Sequence, residues 1–297
     1  MDDKERIITR RDFMKGTALV VLGAATGFPS VVHSKNTQKS RVVLIRNVNA
    51  LDVHSRPQME VIEQMLDEAV MLLVSEDDPL TAWKQLIRAN DVVGIKSNVW
   101  HYLPTPTELE EAIKNRVLSV GVPDRNIDID DRGVLRNPVF RKATALINTR
   151  PVRTHHWSGI GGCIKNYIMF TSAPYAYHGD SCADLGKVWK LPHVKGKTRL
   201  IVLSALKAQF HGRGPHHFDR RYVWNYKGLI VGTDPVAVDR IGLELIRKKR
   251  KAHFGEERNL ATPPHHIIYA DTRHHLGTSD LNKIELIRTG WQKDILI

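Results

Sequence analysis

Between residues 41 and 46 the chain reads Arg-Val-Val-Leu-Ile-Arg, a short apolar run bounded by charge, which predicts a first β-strand. Apolar residues then recur at Met59, Ile62, Met65, Leu66, Ala69 and Leu73, the spacing of one helical face, so residues 57–74 predict a helix. Asp78 followed by Pro79 is an N-cap with a first-turn proline and opens a helix over residues 79–88. Residues 91–96 form a second strand pattern, and residues 107–120 a helix with Glu108, Glu110 and Glu111 in its first turn. Ile127 and Ile129 alternate with aspartates as a short strand. Residues 144–148, 199–204 and 228–232 predict further strands, and a helix follows over residues 234–251. Residues 266–270 and 284–288 read as late strands.

Strands alternating with helices predict an α/β layered fold with a mainly parallel sheet. Residues 150–192 break the pattern. They are poor in regular periodicity and rich in Gly, His, Tyr and Trp, so they read as a Gly/His-rich irregular insertion of the kind that carries function.

The N-terminus stands apart. Thr9-Arg-Arg-Asp-Phe-Met-Lys15 precedes 19 uncharged residues, from Gly16 to Ser34. A charged start, a modest apolar core broken by Gly and Pro, and a small-residue end are the layout of a twin-arginine export signal. Residues 1–34 are therefore expected to be a signal peptide, cleaved before Lys35 or retained as an anchor, and residues 35–297 a single α/β domain. The expected location is periplasmic, membrane-associated if the signal is uncleaved, with the twin-arginine translocase as partner during export.

The net charge is +12, and residues 1–34 carry five basic and four acidic side chains, so nearly all of the surplus falls on the rest. An exported protein rarely meets nucleic acid, which is not expected as a partner; an anionic small molecule is. Arg247-Lys-Lys-Arg-Lys251 sits at the end of a helical pattern and reads as a solvated terminus. Cys163 and Cys182 lack the spacing for an iron–sulfur cluster, so none is expected from this chain alone. A disulfide between them and two free thiols both stay open.

Five blocks could carry chemistry. In Arg153-Thr-His-His-Trp-Ser-Gly-Ile-Gly-Gly-Cys-Ile-Lys165-Asn166, Gly161 and Gly162 precede a helical run, where backbone N–H groups would attract an anion. Lys165 would add charge one turn on, and His155 a titratable group. His211-Gly-Arg213-Gly-Pro-His-His217 follows a strand, where loops bind ligands in open sheets. Asp239 lies on an apolar helix face and needs a partner, an Arg or a metal. A divalent metal held by His155, His211 or Asp239 is thus an expectation. Lys96 and Asn98 end a strand in a ligand-facing position, and Asp128, Asp130 and Asp131 read as an acidic strand end.

Taken in order, these blocks resemble the domain of unknown function 362 family. The matching pieces are residues 90–98, Arg153-Thr-His155 with Gly161 and Lys165-Asn166, residues 212–215, Gly232-Thr-Asp-Pro-Val-Ala-Val-Asp239, and residues 276–280. The resemblance implies an α/β fold, frequent export and a shared site, without a settled reaction. The family's Lys-x-Lys-Thr-His stands here as Pro151-Val-Arg153-Thr-His155, so any job of those lysines passes to Arg153. Some members carry a ferredoxin-like module that this sequence lacks. A fainter likeness to nickel-pincer lactate racemases lies in the order of His155 and Lys165.

Lys96, Asn98, Arg153, His155, Lys165, Asn166, Arg213 and Asp239 are therefore expected to converge on an anionic ligand. An enzyme using His155 as acid/base and Lys165 as electrostatic stabiliser or tether is one reading. A ligand-binding or carrier protein is another, and a partner of a membrane redox complex a third.

Overall fold

The computed structural model describes residues 39–212 and 218–297. The predicted signal and Arg213 lie outside the described residues.

The strand-forming runs assemble into one mixed sheet in the order β3 (Ile127–Asp130), β2 (Val93–Lys96), β4 (Ala145–His155), β6 (Thr198–Gln209), β7 (Val223–Gly232), β1 (Ser40–Arg46) and β8 (Ile284–Gly290), with β5 (Gly159–Ile160) added to β4. β3, β2, β4 and β6 pair parallel, as do β1 and β8. Only β7 in this row runs antiparallel to both its neighbours.

Alternation along each strand divides the core into two layers. On β1, Val42 and Leu44 join one apolar cluster and Val43 and Ile45 the other. The second cluster packs under α1 (Met59–Val74), α2 (Pro79–Leu86) and α3 (Thr107–Ser119). α1 buries Ile62, Met65, Leu66, Ala69, Val70 and Leu73, the stripe visible in the sequence. Asp78 caps α2 by accepting the Thr81 N–H at 2.7 Å. The short α4 (Pro138–Lys142) buries Phe140 in the opposite layer. That layer is covered by α5 (Cys163–Asn166), α6 (Pro235–Phe254), α7 (His265–Thr272) and the turns between 167 and 190.

Two expectations are corrected. Residues 266–270 are helical: His266, Ile267 and Ala270 are buried while Ile268 is half exposed, a helical stripe that the β-branched pair disguised. The insertion also begins later than its composition suggests, because β4 continues to His155 as a fully buried strand. Pro151, rare inside a strand, conceals this; it sits beside a register shift between Pro151 and Arg153.

Candidate functional site

The extension of β4 beyond the end of β2 builds the site. Lys96 closes β2 opposite Asn148, and β4 runs on through Arg150 and Arg153 to His155. In a regular strand, positions 150 and 153 face opposite sides. The irregularity between Pro151 and Arg153 brings both arginines to one cavity of about 290 Å³. Asn98, Trp100, Asp131, His155, Lys165 and Asn166 share its lining, and Arg132, Trp157 and His178 complete the polar rim.

Asn166 ties the walls together. Its Nδ2 donates to Asn148 Oδ1 at 2.9 Å, Thr149 O at 3.1 Å and Lys96 O at 3.3 Å, while its Oδ1 accepts from Asn98 Nδ2 at 3.3 Å. Arg153 donates to Asn98 Oδ1 and Leu103 O, both at 2.7 Å, and lies 4.4 Å from the Trp100 ring centroid. Lys96 forms a buried ion pair with Asp131 and donates to Ser97 O at 2.7 Å. Among the described residues Lys165 has no carboxylate partner, and its hydrogen bond runs to Cys182 Sγ at 3.4 Å. Both cysteines are free and buried, and the thiol of Cys182 faces this lysine rather than Cys163.

Asp239 occupies the place expected for a ligand. Its carboxylate accepts the N–H groups of Cys163 at 2.6 Å and Ile164 at 2.8 Å, so an internal anion caps the start of α5. A Cβ on Gly162 would come within 2.3 Å of this carboxylate, and one on Gly161 within 2.8 Å of the Arg150 guanidinium. The glycines admit Asp239 and Arg150 rather than leaving N–H groups open to the cavity. Asp234 at the start of α6 is structural: it accepts from the N–H groups of Val236 at 2.8 Å and Ala237 at 3.0 Å.

Burial governs the ionisation of these groups. It lifts the Asp239 carboxyl to about 7 against the pull of its two backbone hydrogen bonds. It lowers Lys165 to about 8, opposed by Cys182 and reinforced by Arg150 and Arg153. Lys96 falls to about 8 for the same first reason, opposed by Asp131. His155 is pushed well below its usual value by burial and then by Lys165 and Arg150, so it is neutral at pH 7. Its Nδ1 faces the Trp157 N–H at 3.2 Å, which puts the ring proton on Nε2. In this arrangement His155 offers a hydrogen-bond donor, and its titration is displaced downward.

The triple His155, His211 and Asp239 is not assembled as a metal centre. No group of three or more His, Cys, Asp or Glu among the described residues could hold a metal ion. His211 lines a separate cavity of about 330 Å³ with the far side of His155 and with Arg250, whose Nη1 contacts His211 Nδ1 at 2.8 Å. Asp239 is spent on backbone. Arg250, expected to be solvated, is buried and also donates to Phe210 O at 3.2 Å and Asn259 O at 2.9 Å. Asp128 and Asp130 hold the Asn137 amide at 2.8 and 3.1 Å, and so serve the turn before α4.

Sequence reasoning missed Arg150, Trp100 and His178. Arg150 could have been found only by recognising that Pro151 bends a continuing strand.

No curated protein and no solved structure matches the chain. The blocks at residues 90–98 and 276–280 fall outside the family model matched, which spans β3 to the first half of α6 and holds Asp131, Arg150, Arg153, His155, Lys165, Asn166, His211 and Asp239 but neither the β2 end nor Arg250. Residues 119–244 match the family model described as Domain of unknown function (DUF362).

Proposed function

We propose that this protein binds a small anion at the carboxyl ends of β2 and β4 and acts on it with Lys165 and His155. One observation carries the reading. Four cations at the cavity are buried (Lys96, Arg150, Arg153 and Lys165), against two buried carboxylates (Asp131 and Asp239). Asp131 serves Lys96 and, with Asp239, the field at Arg150. Among the described residues Arg153 and Lys165 are left without a carboxylate of their own. Buried charge is paired in folded proteins, because its desolvation is otherwise uncompensated. An anionic ligand supplies the missing partner. Thr149 Oγ1, Arg150 Nε and Arg153 Nε add buried polar atoms with no hydrogen-bond partner among the described residues.

Lys165 then stabilises negative charge, and His155 donates through Nε2 to an oxygen of the ligand. A carrier would use the same contacts without turnover. The test is native mass spectrometry of the exported protein, wild type against Lys165→Met. A bound mass present in the first and lost from the second supports the reading, and equal retention contradicts it. Conversion of the released ligand by fresh protein separates enzyme from carrier.

The compartment belongs to the same proposal. Arg10 and Arg11, outside the described residues, would direct export of the folded chain. Changing both to Lys should leave precursor in the cytoplasm; undiminished export of the double variant contradicts the twin-arginine reading.

A further inference from the structure

We propose that Lys165 is an amine nucleophile that forms an imine with a carbonyl-bearing carboxylate, a 2-oxo acid. The proposal deepens the anion-site reading and rests on it. Its geometric basis is the isolation of one lysine in a cationic cavity. Lys165 is 3% exposed, lines the cavity, and among the described residues hydrogen-bonds only to a thiol, a weak acceptor. Arg150, Arg153 and His155 face the same space and supply a carboxylate clamp and a donor for the carbonyl oxygen. A lysine desolvated beside other cations is the arrangement that frees an amine for attack on a carbonyl. The lowering of Lys165 to about 8 by burial agrees with this.

The cavity contains its own control. Lys96 is as deeply buried, but its ammonium is held by Asp131 and by Ser97 O. It has no freedom to attack. The size of the space, about 290 Å³, suits a small oxo acid. The charge count favours a dicarboxylic one, since two cations lack carboxylates.

The chemistry balances without a co-reactant. The neutral Nζ gives its electron pair to the carbonyl carbon, and the C=O π pair moves to oxygen. The proton released by nitrogen goes to that oxygen, giving a carbinolamine. A second proton transfer expels the hydroxyl as water as the C=N bond forms, so amine plus ketone becomes imine plus water. Arg150, Arg153, His155 and His178 share the cavity with Lys165, and Cys182 contacts it; Asp131, the carboxylate in that lining among the described residues, is paired with Lys96.

The test uses the full exported protein with 2-oxoglutarate and, separately, pyruvate, in the presence of sodium cyanoborohydride. Peptide mass mapping locates reduced adducts, and calorimetry measures binding without the reductant. The expected result is an adduct on Lys165, formed about tenfold or more faster than on exposed lysines because far more of this amine is unprotonated at neutral pH. Its rate should rise with pH and level off above about 8. Lys96 should stay unmodified. Lys165→Arg should keep calorimetric binding and lose the cavity adduct. Binding with no preferential adduct on Lys165 overturns the imine and leaves the anion site standing. Neither binding nor adduct overturns both.

Discussion

Two lysines lie on either side of Asn166, both buried and both lowered to about 8 by burial, and they do different things. Lys96 ends a strand and is locked to Asp131, whose other oxygen accepts the Val99 N–H at 3.0 Å. Lys165 rides on a single helical turn and, among the described residues, hydrogen-bonds only to Cys182 Sγ. The first is an internal pair that orders the loop after β2. The second is a charge without a counter-charge. Similar burial and similar ionisation therefore say little about role; the partner decides.

The largest way to break this comparison is to remove the pinned lysine. Lys96→Met strands the Asp131 carboxylate in the interior and should cost about 3–5 kcal/mol in denaturant unfolding. A loss below about 1 kcal/mol would mean that Asp131 escapes to water or takes a proton without strain.

Next comes the support of Lys165. Asp239→Ala leaves two buried N–H groups unpaired, and each such orphan costs about 1–3 kcal/mol. Asp239→Asn keeps one acceptor and loses a charge that burial already disfavours, so it should cost clearly less. Equal losses in the two variants would refute the capping role.

Lys165→Met should sit at the small end. It deletes a buried charge that has no carboxylate, so stability should change by less than about 1 kcal/mol or rise. Anion binding should nevertheless disappear.

The pH dependence sharpens the same point. Lys165 is lowered from its ordinary value to about 8, so between about 8 and 10.5 the unfolded chain binds more protons than the folded one, and stability gains from this group as pH rises through that window. Asp239 has the opposite sense. Its raised carboxyl, about 7, makes the folded state bind more protons, so its contribution declines as pH rises from about 4 to 7. Lys165→Met should reduce the alkaline gain without abolishing it, because Lys96 adds its own. An unchanged alkaline limb in ligand-free protein would contradict the burial of Lys165.

Much of this was legible in the sequence. Apolar periodicity marked β1, α1, α3 and α6, and the strand-end rule pointed to Lys96 and Asn98. The density of Arg, His, Gly and Lys pointed to residues 153–166. The structure brings Asn98, Arg153, His155, Lys165 and Asn166 to one cavity, with Lys96 bonded into its wall. The rest depended on long-range geometry. Asp239 stands 75 residues from Ile164, whose N–H it caps, and nothing local distinguishes such a cap from a ligand-binding carboxylate. Arg150 was hidden by Pro151, and His211 by an Arg250 that looked like part of a surface run. The choice between disulfide and thiols was likewise tertiary: Cys182 follows Asp180 and Ser181 through three left-handed residues that turn it toward Lys165.

The role of Lys165 and Arg153 as a cationic anion site is tested most directly by thermal unfolding of wild type and Lys165→Met as 2-oxoglutarate is raised at constant ionic strength. A ligand that binds only the folded state raises the transition in proportion to the logarithm of its concentration once above Kd. The wild type should follow that rise and the variant should stay flat. A parallel rise in both proteins, or none in either, would contradict the account.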